Sequence, residues 1–91
     1  SVCTGAMLLA DAGIIGDRPA TTHHLAVEAL RERGAAVVEA RVVDAGSLIT
    51  SAGVTSGLDL ALHLVERLVG ADAADAAGRR MEYARTPAHL V

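Results

Sequence analysis

Among 91 residues the sequence has one cysteine, two prolines, one tyrosine, and no lysine, tryptophan or phenylalanine. A single thiol, Cys3, excludes an intrachain disulfide, and leaving it free suits a reducing compartment, so a cytoplasmic location is expected. The near-absence of aromatic rings removes stacking platforms for bases. A formal net charge of −3 argues against a phosphate-backbone interface, which needs clustered positive charge. Arg79-Arg80 is the only adjacent basic pair, and a solvated helix face accounts for it. No apolar run approaches the roughly 20 residues that span a bilayer, and no charged segment leads into an apolar one as in an export signal. Neither a nucleic acid nor a membrane is therefore expected as a partner. The eight basic residues, all Arg, together with abundant alanine, read as the composition of a GC-rich bacterial gene and carry no chemistry.

What is present is 52% hydrophobic and 21% charged, the balance of a globular chain of at most one domain. Met7 to Ala12 build a helix closed by Gly13. Ala20-Thr21-Thr22 is a short β-prone stretch, and Leu25 to Arg33 form a second helix, with Thr22 as its cap and Gly34 as its end. Val37 to Val43 alternates as a strand, Asp44 to Ser47 turns, and Leu48 to Ser51 returns, so residues 37–51 form a hairpin with Gly46 free to take positive φ. Leu58, Ala61, Leu62, Val65, Leu68 and Val69 recur at three and four, which makes 56–69 the clearest amphipathic helix. A capping box over Ser56 to Asp59 starts it and Gly70 stops it. A weaker stripe runs from Asp72 towards Tyr83, and Pro87 marks the exit. Strands and helices in this order predict an α/β sandwich over a mainly parallel sheet.

The chemistry gathers at Ser1-Val2-Cys3-Thr4-Gly5-Ala6. A nucleophile elbow places its reactive side chain on a tight strand-to-helix turn, with small residues two before and two after. Ser1 and Gly5 hold those places around Cys3, and the helix that follows sets the sulfur at its positive end, which favours the thiolate. In open parallel sheets reacting groups collect at the carboxyl ends of strands. Cys3, His23 and the Ser51-to-Thr55 loop each follow a β-prone stretch and are expected to converge. His63, on a polar stripe with Asp59, Glu66 and Arg67, and His89 near the end read as surface residues. Cys3, His23 and His24 lack a third ligand at metal-binding spacing, so neither metal nor cofactor is expected.

The elbow, then Ala20-Thr21-Thr22-His23, then Leu48 to Leu60 (LITSAGVTSGLDL) resemble the ThiJ/PfpI superfamily, of the class I glutamine amidotransferase-like fold. The resemblance runs to about Tyr83. It is nearest to the branch of isonitrile hydratases and the ligand domains of AraC-type regulators. It implies the C-terminal part of a flavodoxin-like three-layer sandwich, starting at the elbow and containing a β-hairpin, with the preceding half and its acidic partner for the cysteine outside these residues. It assigns Cys3 as nucleophile, the Thr4 N–H to an oxyanion hole with its hydroxyl orienting water or substrate, and His23 as polariser or proton shuttle. Gly5, His24, Gly53 and Thr55 become substrate-binding positions. Protease-like members carry His directly after the cysteine; Thr4 departs from that, and His24 stands where an aromatic residue is usual.

Three functions follow. A cysteine-dependent hydratase would convert an isonitrile to an N-substituted formamide through Cys3. A ligand-sensing domain would keep the pocket without turnover and precede a basic helix-turn-helix. A redox or stress role would act through oxidation of Cys3. A small-molecule substrate is the expected ligand, and association with a second copy or with the missing half the expected assembly.

Overall fold

The computed structural model describes all of residues 1–91. The chain has four α-helices, α1 (Gly5–Asp11), α2 (Val27–Glu32), α3 (Ser56–Leu68) and α4 (Ala71–Met81), and five short strands, β1 (Pro19–Ala20), β2 (Ala36–Val37), β3 (Val42–Asp44), β4 (Ile49–Ser51) and β5 (His89–Leu90), in the order α1, β1, α2, β2, β3, β4, α3, α4, β5. A 3-10 turn over His24–Ala26 leads into α2. No helix is long and apolar enough to cross a membrane.

The strands form two small sheets, and two of their three pairings are parallel. β1 pairs with β2 in parallel, Ala20 opposite Val37. β3 lies between β4, antiparallel to it with Val43 opposite Thr50, and β5, parallel to it. Residues 1–3 extend this second group. The Ser1 amine donates to the Ile49 carbonyl at 2.8 Å, the Ser51 N–H to the Ser1 carbonyl at 2.9 Å, and the Cys3 N–H to the Ser51 carbonyl at 3.2 Å. Those staggered bonds are the signature of a parallel neighbour. The Thr21 N–H donates to Thr50 Oγ1 at 2.9 Å, tying the exit of β1 to the middle of β4.

The predicted elements are present, with changes that have physical causes. α1 stops at Asp11, one residue early, and Gly13 lies beyond it at φ 76°. Gly34 and Gly46 take the positive φ, 98° and 85°, that their turns require. The strand expected over 37–43 is two strands, because the Ala40 N–H folds back onto the Val38 carbonyl at 3.0 Å and breaks the extended run. Thr22 does not cap α2, whose cap position is Ala26 without a side-chain bond; the Thr22 hydroxyl donates to the Cys3 carbonyl, and His23 caps the preceding 3-10 turn by accepting the Leu25 N–H. Ile15, in a stretch that reads as turn, is almost fully buried and joins Ala6, Ala20, Leu30, Ala35 and Leu48 in the main core.

The largest correction concerns α3. Its buried residues are Ser56, Asp59, Leu60, Leu62 and His63, whereas Leu58 and Leu68 of the expected apolar stripe are exposed. The capping box is absent too: Thr55 occupies the cap position without a side-chain cap bond, and Asp59 points inward. The inward face works because each of its ionisable groups finds partners. Asp59 meets Arg41, and His63 meets Asp44 at 2.7 Å. A polar face is buried at little cost only when it is hydrogen-bonded, and hydropathy periodicity alone cannot see those partners.

Candidate active site

Cys3 sits between the parallel segment at residues 1–3 and the start of α1. The Gly5 N–H donates to the Val2 carbonyl at 3.0 Å, closing a turn in which Cys3 has φ 57° and Thr4 φ −73°, ψ −1°. Positive φ at the first central position only is the type II′ pattern. A non-glycine residue there is sterically strained. The strain is held from three directions. The Cys3 N–H donates to the carbonyls of Ser51 at 3.2 Å and Ala52 at 2.9 Å, and the Cys3 carbonyl accepts the Thr22 hydroxyl at 2.9 Å. The Thr4 N–H is not used by any backbone bond of the turn, so it is available to a ligand. The side chain of Cys3 is half-buried.

Gly5 has a weaker steric role than its elbow position suggests. A Cβ there would meet only the Ser1 Cβ, at an ordinary 3.6 Å. Gly53 is the tighter position: a Cβ would lie 3.3 Å from Cδ2 of His23. His23 is thus packed against the loop that also supplies the carbonyl to Cys3. Its Nδ1 accepts the Leu25 N–H at 3.1 Å. A ring whose Nδ1 is an acceptor carries its proton on Nε2, which makes His23 a hydrogen-bond donor through that atom. The His24 ring lies beside it, with centroids 4.4 Å apart.

Beside this elbow is a cavity of about 390 Å³. His24, Gly53 and Thr55 line it, while Cys3, Thr4, Gly5 and His23 do not. Thr22 and Ala52, each one hydrogen bond from the Cys3 backbone, also line it. Two lining residues were not singled out from the sequence, Glu39 and Arg41. Both lie in the run that reads from the sequence as one strand, and only the long-range partner of Arg41 distinguishes it. Nε and Nη2 of Arg41 both donate to Oδ2 of Asp59, at 2.9 and 2.7 Å. The carboxyl of Asp59 is driven up by burial, but bonds from the Thr86 N–H, Arg41 and Tyr83 outweigh that and hold it below its ordinary range. Asp44 follows the same logic, with burial opposed by His63, the Gly46 N–H and Arg67, and is also lowered. His63 is therefore a buried partner of Asp44 and not a surface residue. No three His, Cys, Asp or Glu side chains are grouped so as to hold a metal ion.

Residues 1–67 match the model of the DJ-1/PfpI family. The chain belongs to the DJ-1/PfpI family. It is 44% identical over 87 residues to an isonitrile hydratase of Pseudomonas putida, a match covering 96% of this chain and 38% of that protein. A ThiJ/PfpI family protein from Pseudomonas syringae superposes with a TM-score of 0.86 at 41% identity, over 96% of this chain and 36% of that one. Drosophila melanogaster DJ-1beta superposes at 0.82 over 91% of this chain and 45% of that one, with 24% identity, a likeness of fold. The chain thus spans less than half the length of these relatives. Within the DJ-1/PfpI frame the mixed sheet is part of a flavodoxin-like architecture, and the elbow, His23 and the loop after β4 stand at one end of its strands.

Proposed function

We propose that this chain carries the cysteine-bearing part of a hydratase that acts on small organic isonitriles. The observation that carries the reading is the backbone of Cys3: a non-glycine residue held at φ 57° by bonds to both Ser51 and Ala52. Strain of this kind persists when surrounding structure over-determines it, and it clusters at reacting groups. The likeness to isonitrile hydratase supports the choice of electrophile.

In this reading the Cys3 sulfur attacks the terminal carbon of the isonitrile and a proton is delivered to that carbon, giving a thioimidate. Water then adds to the same carbon while the nitrogen takes a proton. Collapse of the tetrahedral species breaks the C–S bond, regenerates the thiol and releases the N-substituted formamide. One water is consumed and nothing is oxidised or reduced. The free Thr4 N–H stabilises charge as it develops on the attacked group, and the Thr4 hydroxyl orients the water. His23 polarises the imine nitrogen of the thioimidate through Nε2–H as water adds. With Nδ1 occupied by the Leu25 N–H, it acts as a donor and not as the base that activates Cys3. Gly53 leaves the His23 ring its place.

The test is formamide production from n-butyl isocyanide by the whole hydratase that includes these residues, followed by chromatography, with Cys3→Ala as the control. Formation that vanishes in the variant supports the reading. Equal product from both proteins, or none from either, sinks it.

A further inference from the structure

Arg41 is held in an unusual way for a residue that lines a cavity. All four hydrogen bonds from its side chain leave from Nε and Nη2, two to Asp59, one to Thr55 Oγ1 and one to the Tyr83 hydroxyl. Both N–H groups of Nη1 are uncommitted. Asp59 is fully buried and fixes the guanidinium from behind, so donors are presented with their rotamer entropy already lost. Because Thr55 Oγ1 is an acceptor towards Arg41, its own O–H is left to donate. The cavity therefore offers a pair of neighbouring donors, with Thr22 and Ala52 linking it to the Cys3 backbone.

Charge decides which acceptor fits. The positive charge of Arg41 is balanced by Asp59, and Glu39, without an ion-pair partner, adds a carboxylate to the lining. A free carboxylate on the ligand would meet two negative groups for one positive. We propose that this cavity is the subsite for the substituent of the substrate, and that Arg41 and Thr55 select substituents bearing a neutral acceptor, a carbonyl or ester oxygen, over hydrocarbon ones. The proposal rests on the hydratase reading for what is attached to the substituent, and on Arg41 and Thr55 alone for the selection.

The experiment is a titration of the isotope-labelled chain, followed by amide chemical shifts, with three unreactive formamides: N-formylglycine methyl ester, N-formylglycinate and N-butylformamide. The ester is expected to bind about tenfold more tightly than N-butylformamide, the worth of one hydrogen bond to a charged donor. Its shifts should concentrate at Thr22, Arg41, Gly53 and Thr55, and the anion should bind more weakly than the ester. Arg41→Lys, which retains a charge opposite Asp59, and Thr55→Val should each narrow the ester preference to about threefold or less. If Arg41→Lys loses its native spectrum, Thr55→Val decides. Equal affinities for ester and butyl ligands, shifts confined to another face, or an unchanged preference in Thr55→Val would each overturn the proposal. Failure of n-butyl isocyanide turnover while the ester preference persists would remove the hydratase and leave the subsite.

Discussion

Cys3 adopts φ 57°, a conformation that costs a residue with a Cβ about 1–3 kcal/mol. Cys3→Gly is accordingly expected to be more stable than Cys3→Ala by about 1 kcal/mol, read by urea unfolding, while both lose turnover. Equal stabilities would mean that the turn is relaxed. At Gly53 the conflict is one of space: a Cβ 3.3 Å from the His23 ring obliges the ring to move by a few tenths of an ångström. Gly53→Ala should lower turnover about tenfold with little loss of stability, because misplacing a polarising group costs rate before it costs fold. A variant with unchanged turnover would show that His23 does not act on the substrate. Cys3 and His23 stand out in the sequence because each carries a local signature, a small-residue frame or a strand end, whereas Gly53 stands out only through the family resemblance. Arg41 and Asp59 have no such signature, being 18 positions apart and joined only in the folded chain.

α3 shows where periodicity misleads. An apolar stripe at three and four identifies a helix but not which side meets the sheet, and here the inward side holds Asp59 and His63. The elements themselves were legible because glycine stops and apolar periodicity are local; the rotation of α3 was not, because the partners that make it tolerable lie on β3 and on the segment before it. Asp59→Ala removes the acceptor of Arg41, Tyr83 and the Thr86 N–H together. It should cost about 3 kcal/mol, as breaking a buried pair does. Loss of less than about 1 kcal/mol would place the pair among weak surface bridges. The same groups set an acid limit. Asp44 and Asp59 both sit below the ordinary carboxyl value of 3.8, so the unfolded chain binds their protons more readily than the native one. Their contribution is complete above that value and is lost as pH falls through the folded values. Stability measured from pH 7 downward should fall steeply below about pH 4, and Asp59→Asn should flatten that fall.

For the molecule as a whole, the rotation of α3 has a surface consequence. Leu58, Leu64, Leu68 and Val69 are exposed along and just after this helix, and Leu8, Leu25 and Val54 are exposed elsewhere. Apolar groups scattered singly need no explanation, but several on one helix favour association. The chain is expected to associate as its concentration rises, by sedimentation velocity, and Leu64→Glu with Leu68→Glu should weaken that association. A single monomeric boundary across the concentration range would show that this face stays open to water.

The bonds that shape the elbow join Cys3 to Ser51 and Ala52, residues at the far side of the chain's middle. No local segment can make that turn by itself. The nucleophile therefore acquires its geometry only once the hairpin of β3 and β4 has closed in its native register, and a slip by one residue would offer it the wrong carbonyls. Closing so long a loop belongs to the slow, late part of folding. Chemical competence at Cys3 is in this sense a readout of completed topology: a chain with native helix content but an unregistered hairpin would be folded to a spectrometer and inert to a substrate.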